Sequence, residues 1–358
     1  MKLEFECILY TLDFKFEAGT SRGVLKTKTS YFIKAKSPSL PGRVGWGEAG
    51  PLPKLSLDHL ENLQEVISAY ALKFEELDFP ESVDGVLNFL QQHVSHDHPS
   101  VRFAFEVAIL DLINGRANLF AGKNTQPLSP IKINGLIWMG DREFMLEQID
   151  QKLRDGYDCI KMKIGAIDFE EECRILAHIR NSFGPDQITL RVDANGAFAV
   201  GEARAKLDKL AEFGLHSIEQ PIRQGQWQEM AKLCEESPVD IALDEELIGV
   251  YGEQRANLLD VIRPPYVILK PTLLGGIWDT QEWIDLAEGR NIGWWMTSAL
   301  ESNIGLNAIY QLTSLYRPHM PQGLGTGQLY HNNIDSPLTI ESGFLSYSDS
   351  KSWVLPEK

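Results

Sequence analysis

Five charged residues recur along the chain at nearly constant intervals: Lys163, Asp193, Glu219, Asp244 and Lys270, separated by 30, 26, 25 and 26 residues. Each stands in or at the end of a short apolar run: "CIKMKIG", "TLRVDAN", "SIEQP", "IALDE" and "YVILKP". Strand side chains alternate between faces, so Lys161 points to the same side as Lys163 and adds a sixth charge. Two adjacent ammonium groups in an apolar strand are costly unless carboxylates, a metal or an anionic ligand share the site. Three carboxylates without His or Cys favour a hard, oxygen-loving cation, so Mg2+ is expected over Zn2+, with Mn2+ able to substitute. Such an ion neutralises a substrate carboxylate while a lysine removes the proton from the adjacent carbon, giving an enediolate. A lysine serves as base only if its ammonium form is destabilised. The like charge of Lys161, with the cation nearby, is expected to do that for Lys163. Lys270 is placed to act as an opposed acid/base or as an electrostatic clamp.

The interval between these residues is the length of one βα unit, so each sits at the C-terminal end of a successive strand. Eight apolar runs can be counted, from "IKING" through "GWWMTSAL" to "MPQGLGT". Between them lie stretches such as "DFEEECRILAHIRNSFG" and "VGEARAKLDKLAEFG", with apolar residues at three-and-four spacing and a Gly near the end. The fold class is therefore α/β: a (β/α)8-type, TIM-like barrel over 126–327, with its site at the C-terminal face of the strands. Before it, strand-like runs such as "EFECILYTLDFKF" precede helical periodicity in "SLDHLENLQEVISAYALKF", "PESVDGVLNFLQQ" and "PSVRFAFEVAILDLING". Residues 1–125 thus read as an α+β capping domain, completed by the tail at 328–358, which lacks a barrel period.

Composition narrows the partners. The 358 residues carry 34 Lys and Arg against 50 Asp and Glu, a formal charge of −16, and no basic cluster is interleaved with aromatics. Nucleic acid is not an expected partner; a small-molecule carboxylate is. Cys7, Cys159, Cys173 and Cys234 show no C-x-x-C or framework spacing, which suits free thiols in a reducing compartment. With no apolar run of membrane-spanning length and a strand-like N-terminus, the protein is expected to be soluble and cytoplasmic, with no membrane partner. The oligomeric state is open.

Bland readings compete with each motif. A lone K-x-K is more often an exposed edge pattern, but its neighbours here are too apolar for an edge. One acid alone reads as a helix cap; three in register do not. His93, His96 and His98 in "HVSHDHPS" fit a solvated loop before a helix starting near Pro99 better than a metal site. "GLGTG" lacks the Lys-Ser/Thr of a phosphate loop and follows the eighth run instead of opening a nucleotide unit. Arg191, Asn195, Glu245 and Glu301 flank the motifs as supports of the site or as structural residues.

The ordered set "KMK" (161–163), "RVDANGAF" (191–198), "SIEQP" (217–221), "ALDEE" (242–246) and "ILKP" (268–271) resembles the enolase superfamily, specifically its muconate-lactonizing subgroup. "GWGEAGPLP" (45–53) and "SVRFAFEVAILDL" (100–112) are similar to that family's capping domain. The resemblance implies Asp193, Glu219 and Asp244 as Mg2+ ligands, Lys163 as the base assisted by Lys161, and Lys270 stabilising the enediolate. "TSALESNIGLNAIYQL" and "GLGTGQLYHNNIDSPL" look like its dehydratase branch in menaquinone biosynthesis. The implied reaction is syn loss of water from a 2-succinyl-6-hydroxycyclohexadiene-1-carboxylate. Thr297, Ser298, Gly325 and Thr326 would contact the succinyl arm, with Arg22 and the turn around Leu52 folding over the barrel mouth. Dipeptide epimerases usually carry an Asp-x-Asp pair at the end of the eighth strand, where this chain has Gly325, Thr326 and Gly327. That ranks an N-acylamino acid racemase or dipeptide epimerase second, and a non-catalytic, metal-stabilised binding protein third.

Overall fold

A computed structural model describes residues 1–20, 23–123 and 128–356. The N-terminal third forms a three-stranded antiparallel sheet of β1 (Glu4–Thr20), β2 (Gly23–Lys36) and β3 (Gly45–Ala49), with β2 central. The helices α1 (Leu63–Glu75), α2 (Val83–His93) and α3 (Pro99–Asn114) pack against it. Gly45 and Gly47 let β3 lie directly on α3, since a Cβ at Gly47 would overlap the Ala104 carbonyl. Helix α3 is buried nearly all round, which explains its continuous apolarity. Its N-terminus rests on the Asp58 carboxylate, which accepts from the Ser100 amide and hydroxyl, both at 2.7 Å.

The chain then passes through β4 (Ile131–Lys132) into a parallel sheet. Its elements in sequence order are β5 (Gly135–Ile137), α4 (Arg142–Arg154), β6 (Cys159–Lys163), α5 (Phe169–Ser182), β7 (Thr189–Asp193), α6 (Val200–Ala211) and β8 (Ser217–Glu219). There follow α7 (Trp227–Glu236), β9 (Ile241–Leu243), α8 (Glu253–Ile262), β10 (Tyr266–Leu269), α9 (Pro271–Leu274), α10 (Gly276–Glu288), β11 (Gly293–Met296) and α11 (Asn303–Tyr316). Spatial order equals sequence order from β5 to β11, so each strand pairs in parallel with the next.

The sheet has seven strands where the sequence suggested eight. The last run, "MPQGLGT", closes the barrel as an extended segment with isolated bridges, Gln322 to Ile133 and Gly323 to Thr297. Backbone bonds run from Gln322 N to Lys132 O (2.8 Å) and from Gly323 N to Met296 O (2.8 Å). Pro321 offers no N–H and the glycines weaken a ladder, so closure occurs without a regular strand. The tail also differs in detail. Its hairpin, β12 (Leu338–Glu341) and β13 (Phe344–Tyr347), adds to β4, while His331 N bonds Asp13 O (2.9 Å) and Trp353 packs with Phe32 and Trp46 of the first sheet. Among the described residues no helix is long and apolar enough to cross a membrane, and all four cysteines are free.

One buried carboxylate joins α3 to the barrel. Glu106 accepts from Ile277 N at 2.5 Å, and Gly276, at φ +90°, lies so close that a side chain there would overlap the carboxylate. Burial pushes the Glu106 carboxyl up to about 8, against the opposing backbone bond to Ile277 and the charge of Arg102. The folded state therefore keeps a proton that the unfolded chain releases near its ordinary value. The resulting stability is fully present below that value and is lost as pH rises through about 8, by at most about 1.4 kcal/mol per pH unit. Glu106→Gln should flatten this slope in urea denaturation between pH 5 and 8, and an unchanged slope would contradict the assignment.

Candidate active site

Strand register brings the charged set together. Lys163 pairs with Asp193 across β6 and β7, and Asp193 with Glu219 across β7 and β8, so three charged side chains form one row. Asp244 follows β9 directly and Lys270 follows β10. Asp193, Glu219 and Asp244 are 1–2 % exposed, whereas Lys163 and Lys270 retain 9 %. Asp193 lines the cavity with Lys161, Lys163 and Lys270, while Glu219 and Asp244 lie beneath.

Each lysine finds a carboxylate. Lys163 Nζ donates to Asp193 Oδ2 and to Asn195 Oδ1, both at 2.9 Å. Lys161 Nζ lies 3.0 Å from the same Asp193 oxygen and against Glu219. Lys270 donates to Asp244 and stands 3.9 Å from Glu219 Oε1. This corrects the simple picture of Lys161 as a repelling neighbour. Burial alone would push Lys161 down, but Asp193, then Glu219 and Asp244, outweigh it and hold Lys161 above the ordinary lysine range. For Lys270, burial is likewise outweighed by Asp244 and Glu219. Asp193 is held well below the carboxylate range, because Lys161 and then Lys163 overcome its burial. Burial and then the Asp193 charge push Glu219 well up.

These pairings decide how the site meets a metal. Among the described residues no group of three or more His, Cys, Asp or Glu forms a ready-made cage, since the lysines hold the carboxylates. Glu219 Oε1, however, is buried with no hydrogen-bond partner. An orphaned carboxylate oxygen between two acidic aspartates, in a set of oxygen donors only, fits a hard divalent cation.

Residues outside the charged row hold it in place. Asn195 (φ 44°) donates from its amide nitrogen to Glu245 Oε1 at 3.0 Å. Gln220 (φ 41°) accepts from Asp244 N (3.2 Å) and Glu246 N (3.3 Å) and donates to Glu246 Oε2 (3.0 Å), fixing the turn that carries Asp244. Both non-glycine residues occupy the left-handed region, a local cost tolerated where neighbours over-determine the backbone. Gln220 escaped the sequence reading; its signal was a polar residue between a site acid and Pro221. Arg191 lies away from the cavity. Its guanidinium bonds Pro321 O (2.8 Å) and sits 4.1 Å from the Trp295 ring. Glu301 accepts from Ser298 and Thr272, and Thr326 donates to Ser298 at 2.7 Å.

A cavity of about 290 Å3 opens above the charged row. Leu52, Leu55 and Phe16 bound it from the N-terminal third, and Thr297, Ser298, Gly325 and Thr326 from the barrel. Arg22 lies outside the described residues. The three histidines have separate structural partners: His93 bonds Phe89 O, His96 stacks on Tyr251 and His98 bonds the Tyr70 hydroxyl. The "GLGTG" stretch forms a short 3-10 turn at Gly325–Gln328.

Comparison with known proteins agrees with this geometry. A family model described as "Enolase C-terminal domain-like" matches residues 145–351. The chain is 50% identical over 359 residues to an o-succinylbenzoate synthase of Desulfotalea psychrophila, covering 94% of this chain and 97% of that one. It superposes with a TM-score of 0.84 on the crystal structure of MenC from Desulfotalea psychrophila LSv54, at 45% identity, covering 96% of this chain and 99% of the other. An N-succinylamino acid racemase of an Amycolatopsis species is 26% identical over 91% of this chain and 87% of its own length. The chain belongs to the enolase superfamily, and within it to the o-succinylbenzoate synthase family.

Two substitutions read the charge balance in chelator-treated protein. Asp193→Asn strips Lys161 and Lys163 of their shared partner and should cost about 3–5 kcal/mol in urea denaturation. Glu219→Gln removes a carboxylate whose charge burial and Asp193 already oppose, and should change stability by no more than about 1 kcal/mol. The reverse ranking would contradict the charge assignment.

Proposed function

We propose that the protein is an o-succinylbenzoate synthase, a hydro-lyase that removes water from 2-succinyl-6-hydroxycyclohexadiene-1-carboxylate in menaquinone biosynthesis. The observation that carries this reading is the row of Lys163, Asp193 and Glu219 across adjacent strands, facing Lys270 on Asp244, under one cavity. The 50% identity over nearly the whole chain supports the same reaction. In this reading 126–327 is the barrel that supplies the chemistry, 1–125 with 328–358 is the cap, and the enzyme works in the cytoplasm.

Asp193, Glu219 and Asp244 would hold Mg2+. When bound, the ion supplies positive charge against the substrate carboxylate and the charge that develops on it. Lys163 Nζ takes the proton from the carbon bearing that carboxylate, and the electron pair moves into the carboxylate as an enediolate. The pair then returns to the ring, the bond to the 6-hydroxyl breaks, and protonated Lys163 gives its proton to the departing oxygen on the same face. Atoms balance as one water lost and one aromatic ring formed. Lys270 contributes its charge to the enediolate, and Lys161 keeps Asp193 ionised and orients Glu219. The cap residues Leu52, Leu55 and Phe16 exclude water from this chemistry.

The second reading is an N-acylamino acid racemase, in which Lys163 and Lys270 act as opposed bases. Its support is the separation of the two lysines onto different strand ends with different acids. A dipeptide epimerase fits less well, because Gly325, Thr326 and Gly327 offer no anion to a substrate ammonium.

Substitution of the lysines separates the readings. Lys163→Ala should abolish both dehydration and exchange of the α-hydrogen in deuterated water. Lys270→Ala should lose about 10²–10³-fold in turnover, on the scale of a lost oxyanion donor. Lys270→Arg keeps a cation without a base and should retain measurable dehydration. A Lys163→Ala enzyme that still dehydrates would remove the base from this position. As a separate check, Asp244→Asn should weaken Mg2+ binding and strongly reduce turnover while the fold persists. Activity that survives exhaustive chelation would sink the metal assignment.

A further inference from the structure

The substrate read above carries two carboxylates, and the charged row accounts for only one. Among the described residues, four cations line the cavity: Lys152, Lys161, Lys163 and Lys270. The last three are committed to Asp193, Glu219 and Asp244. Two hydroxyls at the cavity wall, Ser298 and Thr326, are committed too, whereas Thr297 Oγ1 is buried without a partner and is a neutral donor only. Ser298 donates its single proton to Glu301, and Thr326 donates its own to Ser298. Those two hydroxyls present lone pairs, not protons, to a ligand. They suit the ketone-bearing arm as packing surface and cannot bind its terminal anion.

Lys152 is placed differently. It projects from the inner face of α4, its stem lies against Gly135, and its ammonium stands 4.8 Å from the centre of the Tyr157 ring. It is half-buried, and among the described residues no carboxylate lies within ion-pair distance of it; the charge of Asp155 acts on it from further away and only partly offsets its burial. Burial pushes it below the ordinary lysine range, an electrostatic cost that a bound anion offsets. The cavity runs past Leu136, Asn134 and Gln328 to this end.

We propose that Lys152 binds the distal carboxylate of the succinyl arm, so that the arm threads between β5 and the 325–328 turn toward α4. This rests on the dehydratase reading and names a residue outside the reacting centre that sets specificity for a dianionic substrate. Lys152 holds the arm and takes no part in proton transfer.

The test uses Lys152→Met, which keeps the apolar stem over Gly135 and Tyr157 and removes the charge. Two substrates are compared: the dicarboxylate and its analogue with a carboxamide at the end of the arm. Lys152→Met should raise KM for the dicarboxylate about 10- to 100-fold with kcat within about threefold, and leave the amide unchanged. Lys152→Arg should recover most of the loss. An unchanged KM for the dicarboxylate, or an equal shift for both substrates as a structural role would give, overturns the proposal. Calorimetric titration of o-succinylbenzoate and its distal amide into wild type and Lys152→Met reads the same contact without turnover. Wild type should bind the diacid at least tenfold more tightly than the amide, and equal affinities overturn the proposal even if the variant fails to fold. A wild type that binds the diacid selectively but does not dehydrate overturns the dehydratase reading alone.

Discussion

The site depends on one shared atom: Asp193 Oδ2 takes both Lys161 and Lys163. Two ammonium groups side by side on β6 are tolerable because a carboxylate from the next strand lies directly opposite. It lies opposite because parallel pairing puts Asp193 in register with Lys163. A one-residue slip would turn every charged side chain of that strand out of the barrel. The register of β6, β7 and β8 is thus the constraint from which the charge balance follows. Glu219 and Lys270 extend the balance around the barrel, and the left-handed turns at Asn195 and Gln220 hold the strand ends that carry it.

The N-terminal third is fixed to this centre by a second buried charge system. Glu48, on β3, accepts from Ser302 N (2.9 Å), Ser302 Oγ (2.6 Å) and Gly305 N (3.1 Å), so a carboxylate of the first sheet caps the N-terminus of α11. Ser30 bridges Glu48 to buried Lys28, at 2.7 Å and 3.2 Å. The same helix follows Ser298 and Glu301, whose hydroxyl relay lines the cavity. The cap therefore positions the barrel wall and supplies the apolar lid of Leu52, Leu55 and Phe16. The apolar cover of the cavity and its charged wall have a common structural origin.

Much of this was legible in the chain because a parallel barrel writes its site at regular intervals. The spacing of Lys163, Asp193, Glu219, Asp244 and Lys270 placed them at successive strand ends, and each stands there. That the eighth run would close the barrel without a regular strand was not legible. "MPQGLGT" has the apolarity of a strand, but Pro321 and the glycines leave it only isolated bridges. Nor could periodicity show that Lys161 is neutralised by two acids, which depends on register and rotamer. Gln220 and Lys152 were missed for different reasons. Gln220 acts through backbone bonds that only its left-handed conformation creates, and Lys152 reaches the cavity from a helix whose polar face looks like any solvated one.

The most direct measurement follows the purified wild-type protein with Mg2+ in deuterated water, offered 2-succinyl-6-hydroxycyclohexadiene-1-carboxylate in one reaction and N-succinylamino acids in another. The account predicts Mg2+-dependent formation of the aromatic product by ultraviolet absorbance, with kcat/KM for dehydration exceeding that for racemisation. Racemisation with solvent deuterium incorporation and no aromatic product would contradict it.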